Sequence, residues 1–138
     1  MNRTLTLFAS LMLAALNANA SDDAQIQRGK YLSTAGDCVA CHSVPGGKPF
    51  AGGLALPTPI GEIIATNITP SKTAGIGNYS LEQFSDAVRK GIRADGQHLY
   101  PAMPYTSYAK VSDDDIQAMY AYFINAVEPV DTSTRATT

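Results

Sequence analysis

Long apolar runs, dense patches of one charge and internal repeats are all missing from this chain, and cysteine and histidine are scarce. Ten Lys and Arg stand against twelve Asp and Glu, a formal net charge of -2. That balance offers neither a basic surface for nucleic acid nor a long acidic tail. No apolar stretch approaches the roughly 20 residues that cross a bilayer. No nucleophile–base pattern and no phosphate-cradling glycine loop occurs, so the sequence presents no catalytic constellation. Only two cysteines are present, both within one five-residue string, which excludes a disulfide framework spread through the fold. At 138 residues there is room for one domain.

The N-terminus reads as an export signal. Arg3 supplies a positive start, Leu5 to Leu16 are mostly apolar, and Ala18-Asn19-Ala20 fits the small-x-small cleavage pattern. Residues 1–20 are therefore expected to be a signal peptide, with a periplasmic domain over 21–130 and a flexible, Thr-rich tail over 131–138. Losing Arg3 takes the formal charge from -2 to -3. No other segment reaches membrane-spanning length, so no membrane span is expected after cleavage.

The chain is organised around Cys38-Val39-Ala40-Cys41-His42. Two thiols three residues apart on one helical turn can reach one edge of a haem, and the adjacent imidazole can bind its iron. Cys-x-x-Cys-His is the covalent attachment signature of c-type haem. Other readings of the string are weaker. A thioredoxin-like pair belongs near a βαβ pattern, and helices separated by loops are predicted here. A zinc site wants four ligands, and His98 with a carboxylate is a poor second pair. A disulfide between residues three apart closes a small loop and constrains little. One covalently bound haem c (heme c) is the expected cofactor, held through Cys38 and Cys41. It would supply interior that so small a domain lacks, and the haem-free chain is expected to be unfolded or nearly so.

In chain order, Asp22 and Asp23 open a helix predicted over about Asp22 to Ala35, with Ile26, Gly29 and Leu32 as its buried stripe. A mid-helix glycine costs roughly 1 kcal/mol relative to alanine, so another helix is expected to cross against Gly29. Residues 43–78 are dense in Gly and Pro, with Glu62 to Thr66 as a short strand or extended segment. So long a loop is reasonable if it wraps a large ligand. Ser80 with Gln83 forms a capping box, and Tyr79 with Phe84 a staple, for a helix over about Leu81 to Lys90. Gly91 stops that helix. After irregular residues 95–110, Ser112 caps a last helix with three aspartates in its first turn and Ile116, Met119, Tyr120 and Phe123 on one face.

The second axial position has two candidates. Met103 lies between Pro101 and Pro104 in an irregular loop, where core packing explains it poorly, whereas Met119 sits on a helical core stripe. A Met thioether would raise the potential and close the iron to substrate. His98 is the only other histidine besides His42, and an open sixth position, as in a haem sensor or peroxidase, is the third possibility. Tyr100, Tyr105 and Tyr108 are expected to wall the pocket. Lys72, Arg89, Lys90 and Arg93 read as solvated charges, with steering of an acidic redox partner as the alternative.

With these residues placed, the chain resembles class I cytochromes c. More narrowly, Arg28-Gly29-Lys30-Tyr31-Leu32, Thr66-Asn67-Ile68-Thr69-Pro70 and Leu99-Tyr100-Pro101-Ala102-Met103-Pro104-Tyr105 look like one haem domain of the cytochrome c subunits of membrane-bound alcohol, gluconate and aldehyde dehydrogenases. The resemblance covers about Ala24 to Glu128. It implies an all-α fold with crossing N- and C-terminal helices, a middle helix and long loops around one haem. It also implies axial His42 and Met103, thioethers at Cys38 and Cys41, and Gly29 against Tyr122 or Phe123. The function implied is single-electron transfer between redox proteins: a dehydrogenase as donor, a cytochrome or oxidase as acceptor, and no substrate turnover by the chain itself. Those subunits usually carry three such domains and a membrane anchor. This chain has one CxxCH, so a single-haem shuttle or a small dehydrogenase subunit is the expected form.

Overall fold

A computed structural model describes residues 22–138 of the chain; the expected signal peptide and its cleavage site lie outside the described residues. Helix α1 covers residues 22–35 and stops where the Gly36 N–H bonds Leu32 O at 2.8 Å. Asp37 follows in the left-handed region (φ 54°) and turns the chain into α2, the single turn Cys38–Cys41. Asp is among the few residue types that tolerate this conformation.

The middle helix α3 (Leu81–Lys90) carries the expected capping box: Ser80 Oγ accepts from Gln83 N and Gln83 Oε1 accepts from Ser80 N. Glu82 in the first turn and Arg89 and Lys90 in the last complement the dipole. The last helix α5 (Asp113–Asn125) is capped by Ser112, whose Oγ accepts from Asp115 N. Between them lies a four-residue turn, α4 (Tyr105–Tyr108), in a stretch that reads as irregular in sequence.

Gly29 fixes how α1 meets α5. A Cβ there would stand 1.9 Å from Ala118 O and 2.8 Å from Tyr122 Cβ, so only a glycine lets the two backbones approach this closely. The expected aromatic neighbour is Tyr122, and most of the contact is Ala118 backbone. Arg28 Nε donates to Asp115 Oδ1 at 2.7 Å beside the crossing. The core gathers Phe50, Ile76, Phe84, Val88, Ile116, Met119 and Phe123. Met119 is thus core, as its place on the stripe predicts.

Two features depart from the sequence reading. The fold is not purely helical, because the loop contains an antiparallel hairpin of β1 (Ala55–Thr58) and β2 (Gly61–Ile64), with Ala55 opposite Ile64 and Thr58 opposite Gly61. Only its second strand overlaps the extended segment expected over 62–66. Pro57 and Pro59 mask the first strand from pattern reading. The second feature is residues 131–138, expected to be flexible. They have partners: Thr138 and Glu62 exchange backbone hydrogen bonds at 3.0 and 3.1 Å, Arg135 pairs with Glu62, and Asp131 accepts from Ser71 Oγ at 2.6 Å. Polar Thr-rich composition hides this, because the pairing is made mainly by backbone and short side chains.

Candidate haem site

Two loop segments, 50–53 and 65–68, pair beside α2 and orient His42. Gly52 N donates to His42 O at 2.8 Å, Gly53 N to Ala65 O at 2.8 Å, and Ile68 N to Phe50 O at 2.9 Å. The strands of chain around Gly52 and Thr66 lie so close that a Cβ on Gly52 would meet Thr66 C at 2.5 Å and Asn67 N at 2.6 Å. Gly52 also has φ +72°, so both sterics and backbone conformation demand glycine. Two residues before it Phe50 adopts φ 63°, a strained choice for a bulky residue. It is held by Ser43 Oγ on its N–H and by an edge-to-face contact with Phe123 at 5.1 Å.

The outcome is at His42. Its Nδ1 lies 2.7 Å from Thr66 O, and a carbonyl can only accept. Nδ1 therefore carries the proton, and Nε2 presents its lone pair. Burial, outweighing the bond to Thr66, pushes the imidazole pKa down from 6.5 and so favours the neutral ring that a metal ligand must be.

Cys38 is half-buried and Cys41 is exposed. Burial, outweighing its hydrogen bond to backbone, pushes the Cys38 thiol up to about 11, with Asp37 and Cys41 adding to the rise. A redox-active thiol needs its pKa lowered instead, which counts against a thiol oxidoreductase. Tyr108 donates to Gly36 O at 2.7 Å, and its phenol is pushed up by burial and by the neighbouring Cys38, Cys41 and Asp37. The α4 turn thus braces the corner between α1 and α2.

Met103 is half-buried and packs against the same apolar cluster as Cys38, Leu32 and Tyr108. Its backbone is pinned on both sides, Met103 N to Tyr100 O at 3.2 Å and Tyr105 N to Met103 O at 2.8 Å. His98 lies elsewhere: it is exposed and bridged to Ile92 in a small turn. Among the described residues no cluster of three or more His, Cys, Asp and Glu side chains comes together to hold an ion. Two cysteines one turn apart, an imidazole whose Nδ1 is committed to Thr66 O and a thioether on the same apolar cluster as Cys38 fit a covalently held haem.

Arg89, Lys90 and Arg93 pair with Asp113, Asp86 and Asp95. Arg89 also donates to Val111 O and Ser85 Oγ, which makes it a link between α3 and the approach to α5. Nothing in the sequence marks the Thr66 carbonyl, Gly52 or Phe50 individually as parts of the site. Only the Thr66–Pro70 string marked the region.

The family model described as Cytochrome c matches residues 26–126. The chain belongs to the cytochrome c family. Membership implies covalent haem, the class I fold and a domain that carries electrons. The helical architecture with its small two-stranded sheet is that of the described residues. The chain is 59% identical over 124 residues to the gluconate 2-dehydrogenase cytochrome c subunit of Pantoea cypripedii, covering 90% of this chain and 28% of that protein. It is 53% identical over 121 residues to the alcohol dehydrogenase (quinone) cytochrome c subunit of Gluconobacter oxydans, covering 88% and 25%. With the fructose dehydrogenase cytochrome subunit of Gluconobacter japonicus it shares 58% identity over 107 residues, 77% and 22%. The chain thus spans about a quarter of the length of these curated relatives. No helix among the described residues is long and apolar enough to cross a membrane.

Proposed function

We propose that this cytochrome c carries one haem c, attached through Cys38 and Cys41, with His42 and Met103 as axial ligands, and that it passes single electrons in the periplasm from a dehydrogenase to a cytochrome or oxidase. The observation that carries the reading is His42, whose Nδ1 is committed to Thr66 O at 2.7 Å so that Nε2 alone is left to bind. When bound, the haem supplies a one-electron ferric/ferrous couple.

The chain's own residues do the rest. Thr66 O holds the imidazole in one tautomer and raises its basicity. The turn bonds around Met103 present its sulfur from a backbone stiffened by Pro101 and Pro104. Phe50, Phe84 and Phe123 exclude water behind the site. The donor is proposed from the relatives, each a cytochrome subunit of a dehydrogenase.

Intact mass and reduced pyridine spectra of the mature protein test the cofactor assignment. One haem per chain is expected, lost when both Cys38 and Cys41 are changed to Ser. Two titratable free thiols and no haem in the native protein would overturn it.

A further inference from the structure

Beside the Thr66 carbonyl stands a buried amide that the proposed electron transfer leaves unexplained. Asn67 is 4% exposed, and all its hydrogen-bonding capacity is directed at two places. Its Oδ1 accepts from Thr69 N at 2.9 Å and Thr69 Oγ1 at 2.7 Å. Its Nδ2 donates to Val130 O at 2.7 Å and Thr132 O at 3.3 Å, in the segment beyond α5. Thr69, fully buried, completes the ring by accepting from Val130 N at 3.1 Å. A surface loop does not need a dry, saturated polar ring to stay folded, and such rings fix one conformation of the chain that carries them.

We propose that Asn67, clamped by Thr69 and the backbone of Val130–Thr132, is the positioning residue that holds the Thr66 carbonyl on His42. The proposal rests on the assignment of His42 as an axial ligand. Thr66 is the residue immediately before Asn67, so rotation of the Asn67 backbone moves the carbonyl between them. On its other side that carbonyl is fenced by Gly52, where no Cβ could fit. The clamp therefore fixes one of the few degrees of freedom left. A carbonyl accepting from the non-ligating nitrogen makes the imidazole a stronger donor and favours the ferric state. Loosening the clamp should then raise the reduction potential. The segment after α5 acts on the haem iron through two residues that need not touch it.

The test uses the full haem-loaded chain and two neutral variants, Asn67→Ala and Thr69→Val, with Thr69→Ser as the conservative partner that keeps the hydroxyl. Two readouts are taken: the reduction potential, and solvent exchange of the His42 Nδ1–H followed by NMR of the reduced protein. Asn67→Ala and Thr69→Val are expected to raise the potential and speed exchange about five- to tenfold, as when one hydrogen bond no longer resists local opening. Thr69→Ser should stay close to the parent in both. If Asn67→Ala does not fold, Thr69→Val carries the same comparison, since it preserves shape. Variants that lose stability but keep the parent potential and exchange rate would overturn the positioning role alone. A parent whose iron is not bound by His42 would overturn the site assignment, and this inference with it.

Discussion

Gly29→Ala puts the packing argument at risk in a single methyl group. In an exposed helix the change stabilises by roughly 1 kcal/mol through propensity. Here the new Cβ would lie 1.9 Å from Ala118 O, 2.6 Å from Ala118 C and 2.8 Å from Tyr122 Cβ. Two of those atoms are helical backbone and cannot swing aside, so α1 and α5 must part by about 1 Å or more before every contact reaches 3.0 Å. Separation also strains the Arg28–Asp115 pair and opens the core behind Ile116, only 1% exposed. Overpacking of this kind typically costs about 1–3 kcal/mol, and rigid backbone places this case at the upper end. After the propensity gain is set against it, a net loss of about 2 kcal/mol remains. Denaturant unfolding of the haem-loaded protein, followed by far-ultraviolet circular dichroism, should show a lower midpoint at unchanged slope. An unchanged or raised midpoint would refute the close crossing.

Two further outcomes are expected. Ser80→Ala removes the side-chain half of a satisfied capping box, the Oγ that accepts from Gln83 N, and should cost about 1 kcal/mol by the same unfolding assay; no loss would show that the Oγ contributes nothing to holding α3. Ser33→Ala should be neutral or stabilising by up to about 1 kcal/mol, because Ser33 Oγ is buried without a hydrogen-bond partner among the described residues. A clear loss would reveal a partner.

Local chemistry made much of the molecule legible from sequence. The caps at Ser80 and Ser112, the stop at Gly91, the crossing implied by Gly29 and the turn at Cys38–Cys41 each follow from a residue acting on its near neighbours. The hairpin was only half visible, because Pro57 interrupts β1 and neither strand has a clear polar/apolar alternation. The binding of residues 131–138 to β2 and the Ser71 loop was not visible at all. Those bonds join residues about 60 or more apart through main chain and small hydroxyls, and no periodicity announces them. For the site, CxxCH identifies the attachment turn outright. The residue that orients His42 is a backbone carbonyl, and any amino acid at position 66 could supply one. That contact had to be seen.

The most direct test of the account is the far-red absorption of the oxidised protein beside its Met103→Ala and His98→Ala variants. With His42 and Met103 on the iron, the weak sulfur-to-iron band should be present in the parent, lost in Met103→Ala and kept in His98→Ala. If the parent lacks the band, or His98→Ala alone abolishes it, Met103 is not the ligand and the carrier assignment built on it fails.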